Sequence, residues 1–143
     1  MSREILFKAK RKNWRELSKD EWWVEGSYHH QTDYYGESCD KHYIIDGTET
    51  DMEGYGGHYE IDPETLCQYT GMVDRNGKRI WENDIVKHEI SDTIGTVRWY
   101  QGDYIGWCVD DVVIYEQQFT DEMWDECEVI GNIFDNPELL KRE

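Results

Sequence analysis

Along much of the chain, apolar and polar residues alternate over short stretches, the period of a sheet with one buried face. Arg3 to Ala9 predicts a strand with Ile5, Phe7 and Ala9 turned inward. Lys10 to Asp20 is polar and predicts a loop with one helical turn starting near Asn13. Glu21 to Tyr28, rich in aromatic and β-branched residues, predicts a second strand. Thr32 to Lys41 predicts a turn-rich loop around Gly36, and His42 to Asp46 a short third strand. Gly47 to Gly57 carries four glycines and predicts a long loop, after which His58 to Ile61 resumes the sheet. Asp62-Pro63-Glu64-Thr65 has the chemistry of a helix start, with Asp as cap and Pro at the first position. Any helix there must be brief, because Tyr69-Thr70-Gly71 follows.

The second half is more regular. Asn76-Gly77, inside Asp74 to Lys78, tolerates the positive φ angles of a tight hairpin turn. Ile80-Trp81, a turn at Glu82-Asn83-Asp84, and the strand Ile85 to His88 follow. Thr93 to Tyr100 and Tyr104 to Val109 predict two more strands around Gln101-Gly102-Asp103. Val112 to Tyr115 and Glu128 to Ile130 close the series, and Asp135 to Leu140 predicts a capped final helical turn. Many short strands with turn signals between them predict a mainly β chain with a small barrel or sandwich. The division expected is a β-rich N-terminal region over residues 1–66 and a barrel region with a short C-terminal helix over 67–143.

Composition supports folding rather than disorder. Seven Trp, ten Tyr and three Phe in 143 residues can build a core although the hydrophobic fraction is only 38%. The formal charge of −17 is unevenly spread: residues 1–19 carry a net +5, so the remaining 124 carry −22. Between Trp99 and Leu140 there are eleven carboxylates and no Lys or Arg, with Asp110, Asp111, Asp121, Glu122, Asp125 and Glu126 among them. At a Debye length of ~8 Å such neighbours raise a local negative potential, which repels nucleic acid and anionic lipid and attracts basic protein. Cys39, Cys67, Cys108 and Cys127 form no Cys-x-x-Cys pair, and Met1-Ser2-Arg3-Glu4 leads into a charged segment. The expectation is four thiols in a cytoplasmic protein. No apolar run approaches the ~20 residues of a membrane span.

Motifs for chemistry are weak. His29 and His30 are adjacent and point to opposite faces of a strand, while His42, His58 and His88 lack a nearby ligand pair. No metal site is therefore expected. Asp46, Glu49, Asp51 and Glu53 do not fit a calcium-loop spacing. Cys39 lies near His42 without a motif behind the pair, and no glycine-rich phosphate loop exists. Neither catalytic residues nor a cofactor are expected. One basic cluster, Lys8, Lys10, Arg11, Lys12 and Arg15 around Trp14, is a candidate phosphate-contacting patch. Trp99 and Trp107, on successive strands beside the acidic stretch, are the candidate interaction surface.

Tyr59 to Thr65, Gln68-Tyr69-Thr70-Gly71, Asp74, Asn76-Gly77-Lys78, Ile80-Trp81-Glu82 and Asp84-Ile85-Val86 together resemble the signature of the YopX proteins. Val129 to Ile133, Asn136 to Leu140, Phe7 to Lys10 and Trp23 to Gly26 extend the resemblance over nearly the whole chain. Asn83 stands where that family usually has Gly, and Cys67 where a small residue is common. Asn is the next-best residue for a positive φ, so the turn should survive. The resemblance implies a phage or prophage protein acting in a bacterial host, with a C-terminal half like an SH3 barrel. It brings no catalytic residues and no mechanism.

The reading is a non-catalytic accessory protein that binds a host or phage protein. The alternatives are an acidic mimic of DNA that blocks a host DNA-binding protein, and a nucleic-acid-binding module using the basic N-terminal stretch. The acidic barrel half argues against nucleic acid as partner. Strand edges in such an aromatic-rich protein also allow a homo-oligomer.

Overall fold

The computed structural model describes residues 4–47, 57–89, 92–101, 105–110 and 126–140, with the backbone of 117–118. The chain divides into two compact units, residues 1–68 and 69–143. The protein is mainly β, as its pattern predicts, with antiparallel ladders and, among the described residues, short helical turns between strands. No helix among the described residues is long and apolar enough to cross a membrane. The predicted strand Val112 to Tyr115 and most of the glycine-rich loop lie outside the described residues.

In the first unit the strands are β1 (Phe7–Lys10), β2 (Trp23–Tyr34), β3 (Glu37–Ile45), β4 (His58–Glu60) and the start of β5 (Cys67–Val73), in the order β4-β3-β2-β1-β5. Helical turns at Trp14–Glu16 and Lys19–Glu21 fill the link from β1 to β2. The third, Pro63–Thr65, starts as expected, with the Asp62 carboxylate accepting from the Glu64 backbone N–H at 3.2 Å.

The principal departure is β2–β3. Thr32 to Lys41, expected as a loop, is the outer half of a long hairpin in which Tyr34 faces Glu37. Its two-residue turn places Tyr35 at φ 51° and Gly36 at φ 83°, the positive pair that matches the twist of the flanking strands. Glycine takes that conformation freely, whereas tyrosine is an uncommon choice for it. Ala9, Ile44 and Ile61 form the buried centre of this unit, with Phe7, Val24, Tyr28 and Leu66 packed around them. Gly26 is required by close approach, since a Cβ there would collide with the carbonyl oxygen of Ile45. Ile5, expected inward, precedes β1 and is 65% exposed. Lys10, expected in a loop, ends β1 and is 2% exposed.

The second unit holds the rest of β5, then β6 (Arg79–Trp81), β7 (Asp84–His88), β8 (Ile94–Gln101), β9 (Ile105–Asp110), β10 (Gln117–Gln118) and β11 (Cys127–Asn132). Its main sheet runs β10-β9-β8-β7-β11. Among the described residues no ladder joins β10 to β11, so the closure of an SH3-like barrel is not seen there. Ile80, Val86, Val97, Val109, Cys127 and Val129 make the core, with Met72 and Trp107 against it. Trp81 is 4% exposed and tilts against Tyr69. Gly77 and Asn83 take the positive φ angles expected of them, 79° and 71°. The C-terminal helical turn is Pro137–Leu140.

Asp74 fastens this unit. Its buried carboxylate accepts from the backbone N–H groups of Asn76 and Lys78 in the hairpin turn, each at 2.9 Å. The other oxygen accepts from Val129 of β11, also at 2.9 Å. Removing the carboxylate strands three donors, one of them beside the core, at about 1–3 kcal/mol for a buried unmatched group. Asp74→Ala is expected to lower unfolding free energy by about 3 kcal/mol or more in urea titration; a loss under about 1 kcal/mol would contradict this role.

Candidate functional site

Three side-chain groups merit weighing as sites. The first lies on the β8–β9 hairpin, where Val97 pairs with Val109, Trp99 with Trp107 and Gln101 with Ile105, all on one face. The valines are buried in the core. Beyond them the same face continues outward and opens. Trp99 is 45% exposed and Ile105 69%, while Trp107 is half-buried and meets Trp99 edge to face, with centroids 5.1 Å apart. The Trp107 Nε1 is buried and has no hydrogen-bond partner among the described residues. Of the acidic residues singled out beside this patch, Asp110 pairs with Arg98 at 3.3 Å and Glu126 with His88 at 2.8 Å. Asp111, Asp121, Glu122 and Asp125 lie outside the described residues.

The second group is the N-terminal basic cluster, which the fold takes apart. Lys10 projects its ammonium over three indoles, with the ring centres of Trp14, Trp22 and Trp23 at 3.9, 4.4 and 5.7 Å. Its backbone N–H donates to Thr65 Oγ1 at 2.8 Å. Lys8 lies over Trp23 at 4.7 Å, Arg15 over Trp14 at 4.3 Å and Arg11 over Tyr59 at 4.9 Å. Lys12 pairs with Glu60 at 2.6 Å, and this hydrogen bond, with the charge of Glu60, raises the lysine's pKa. The negative faces of the indoles stand in for the water that burial takes from Lys10. Arg11, Lys12 and Arg15 still border one shallow groove of about 600 Å³, together with His58, Tyr59 and the acids Glu16 and Glu60.

The third group was missed in the sequence. His30 of β2 and His42 of β3 are directly opposed, their rings stacked at 4.1 Å and 7°. Asp40, two residues before His42 and so on the same face, brings Oδ1 to 2.6 Å from His30 Nε2 and 3.2 Å from His42 Nε2. Hydrogen bonding from His30 holds the Asp40 carboxyl below its ordinary range, with both imidazoles adding to the effect. On the inner side, the Tyr28 hydroxyl is 2.6 Å from His42 Nδ1, and burial raises the tyrosine's pKa. Only the register of an unrecognised hairpin could have revealed this grouping.

The cysteines form no comparable cluster among the described residues. All four are free thiols; Cys67, Cys108 and Cys127 are buried. Burial, reinforced by the charges of Glu126 and Asp74, pushes the Cys127 thiol up to about 11. Cys39 lies at the register irregularity between β2 and β3, and its Sγ donates to the Gln31 carbonyl at 3.4 Å. Cys39 and His42, three residues apart in sequence, have different partners: the thiol a backbone carbonyl, the imidazole Tyr28 and Asp40.

Lys10 allows a direct test of the indole cage. Lys10→Met keeps the apolar stem and removes the charge. It is expected to lower stability by about 1–2 kcal/mol and to change tryptophan fluorescence. Unchanged or higher stability would mean that the indole faces do not compensate the buried charge.

Compared with known proteins, residues 5–141 match the family model described as YopX protein. Among solved structures, the crystal structure of protein EF1440 from Enterococcus faecalis is similar, with a TM-score of 0.53 and 19% identity. That alignment covers 98% of this chain and 100% of the other, and at such identity the likeness is one of fold. No curated protein matches the chain.

Proposed function

The chain belongs to the YopX family, and from that premise we propose that it is a phage or prophage accessory protein that docks on a host or phage protein. It works in the host cytoplasm and has no catalysis of its own. The docking surface is the outer end of the β8–β9 hairpin.

The observation that carries this reading is the run from buried Val97 and Val109 to exposed Trp99 and Ile105 on one sheet face. A soluble chain of net charge −17 has ample polar residues with which to finish a strand. An exposed tryptophan braced edge-on by a second one is a preorganised apolar anchor, the residue type most enriched where binding energy concentrates. Its ordering cost on binding is small, because the pair already packs together. The acidic-mimic alternative draws no comparable support, since Asp110 and Glu126 are each engaged by a basic group of the chain. The nucleic-acid alternative has the groove bordered by Arg11, Lys12 and Arg15, where Glu16 and Glu60 oppose phosphate.

The test is affinity capture from nuclease-treated host lysate at low and high salt, comparing wild type with Trp99→Ala/Ile105→Ser. A protein partner retained at high salt by the wild type, and reduced at least tenfold by the variant, is the expected outcome. A partner kept by the variant, or only nuclease-sensitive material, would overturn the proposal. So would a concentration-dependent dimer abolished by the same substitutions, since the patch would then serve self-association.

A further inference from the structure

We propose that His30, Asp40 and His42 form a binding site for a divalent first-row metal ion of the Zn²⁺ class, which revises the expectation from sequence that the chain holds no such site. The three donors, two imidazole nitrogens and a carboxylate oxygen, all lie within 4.8 Å of one another. Neutral imidazole with carboxylate, and no thiolate, suits Zn²⁺, Cu²⁺ or Ni²⁺ rather than the all-oxygen shells of Ca²⁺ or Mg²⁺.

The spacing is close to what an ion needs. With metal–ligand distances of ~2.0–2.2 Å in a tetrahedron, neighbouring donor atoms stand roughly 3.3 Å apart. Asp40 Oδ1 is already 3.2 Å from His42 Nε2, and its 2.6 Å contact with His30 Nε2 must open by less than an ångström. The stacked imidazoles must also tilt so that their lone pairs converge. The side chains of His30 and Asp40, 41% and 78% exposed, have room to do so.

Two further features favour a ligand role over a simple charge contact. Tyr28 engages His42 through Nδ1, so the ring can donate Nδ1–H to the phenol oxygen and present the Nε2 lone pair outward. That arrangement, with the second ring nitrogen tied down, is typical of metal-bound histidine. The backbone is also a rigid carrier, because the opposed pair His30↔His42 lies next to Tyr28↔Ile44, and Ile44 is fully buried. The negative net charge of the chain favours a cation throughout. Three protein ligands leave a fourth position for water or for a donor from a partner.

The experiment is calorimetric titration of the metal-free full chain with ZnCl₂ at neutral pH, with histidine side-chain NMR on the same sample. The expected result is one ion per chain, with the resonances of His30 and His42 moving and those of His29, His58 and His88 unmoved. Affinity should fall at least tenfold in each of His30→Ala and His42→Ala, and about tenfold in Tyr28→Phe through loss of the outer hydrogen bond. It should also weaken as the pH is lowered, because protons compete with the ion for the ligand nitrogens. Cys39→Ser should leave it unchanged. No binding by the wild type, binding that survives both histidine substitutions or vanishes in Cys39→Ser, or shifts at other histidines would each overturn the proposal. The NMR arm uses the unaltered protein, so it decides the matter even if a variant misfolds.

Discussion

Strand register is the constraint on which the rest depends. Side chains on a strand alternate between faces with period two, so the face that meets the core at one end of a hairpin is the same face at the other. In both principal hairpins the strands outrun the core they cover. In β2–β3 the opposed pair Tyr28↔Ile44 belongs to the packed centre, and His30↔His42 follows with Asp40 beside it. In β8–β9 the buried pair Val97↔Val109 is followed by Trp99↔Trp107 and then by Ile105. Each hairpin thus carries a set of side chains from a rigid interior to solvent. A slip of one residue would turn each set to the opposite face.

A chain this acidic, with so few aliphatic residues, builds its interior partly from groups that are usually left at the surface. Among the described residues Ala9, Ile44 and Ile61 form the buried apolar cluster of the first unit, and tryptophan faces shelter an ammonium there. In the second unit the buried Asp74 is satisfied by three backbone donors. Such arrangements are costly when incomplete and specific when complete, because a buried polar group with no partner loses its full hydration. The same logic explains why the basic N-terminal cluster is not a simple cationic surface: much of it is committed to aromatic rings or to Glu60.

What was legible in the sequence was written in local chemistry. Asn76-Gly77, Asn83 and Asp62-Pro63 have the dihedral or capping preferences their positions require, and each behaves accordingly. The family was legible because its motifs cover the same turns. What was not legible depended on non-local pairing. Tyr35-Gly36 does not look like a hairpin turn, since the first residue is an aromatic in a positive-φ conformation. With that turn unrecognised, Asp40 was assigned to a loop and its grouping with His30 and His42 could not be seen. Lys10 was placed in solvent because a lysine among polar neighbours gives no sign that three tryptophans, two of them a dozen or so residues away, will close over it. Ile5 fitted the alternation but lies before β1 begins.

Interstrand nuclear Overhauser effects in the isotope-labelled full chain would test the register most directly. Cross-peaks between the backbones of His30 and His42, Tyr28 and Ile44, and Trp99 and Trp107 are expected, because these residues stand directly opposite one another. Cross-peaks placing His30 opposite Lys41 or Tyr43, or Trp99 opposite Gly106 or Cys108, would mean a one-residue offset. In that register the histidines no longer face each other, the tryptophans part, and both surface assignments fail together.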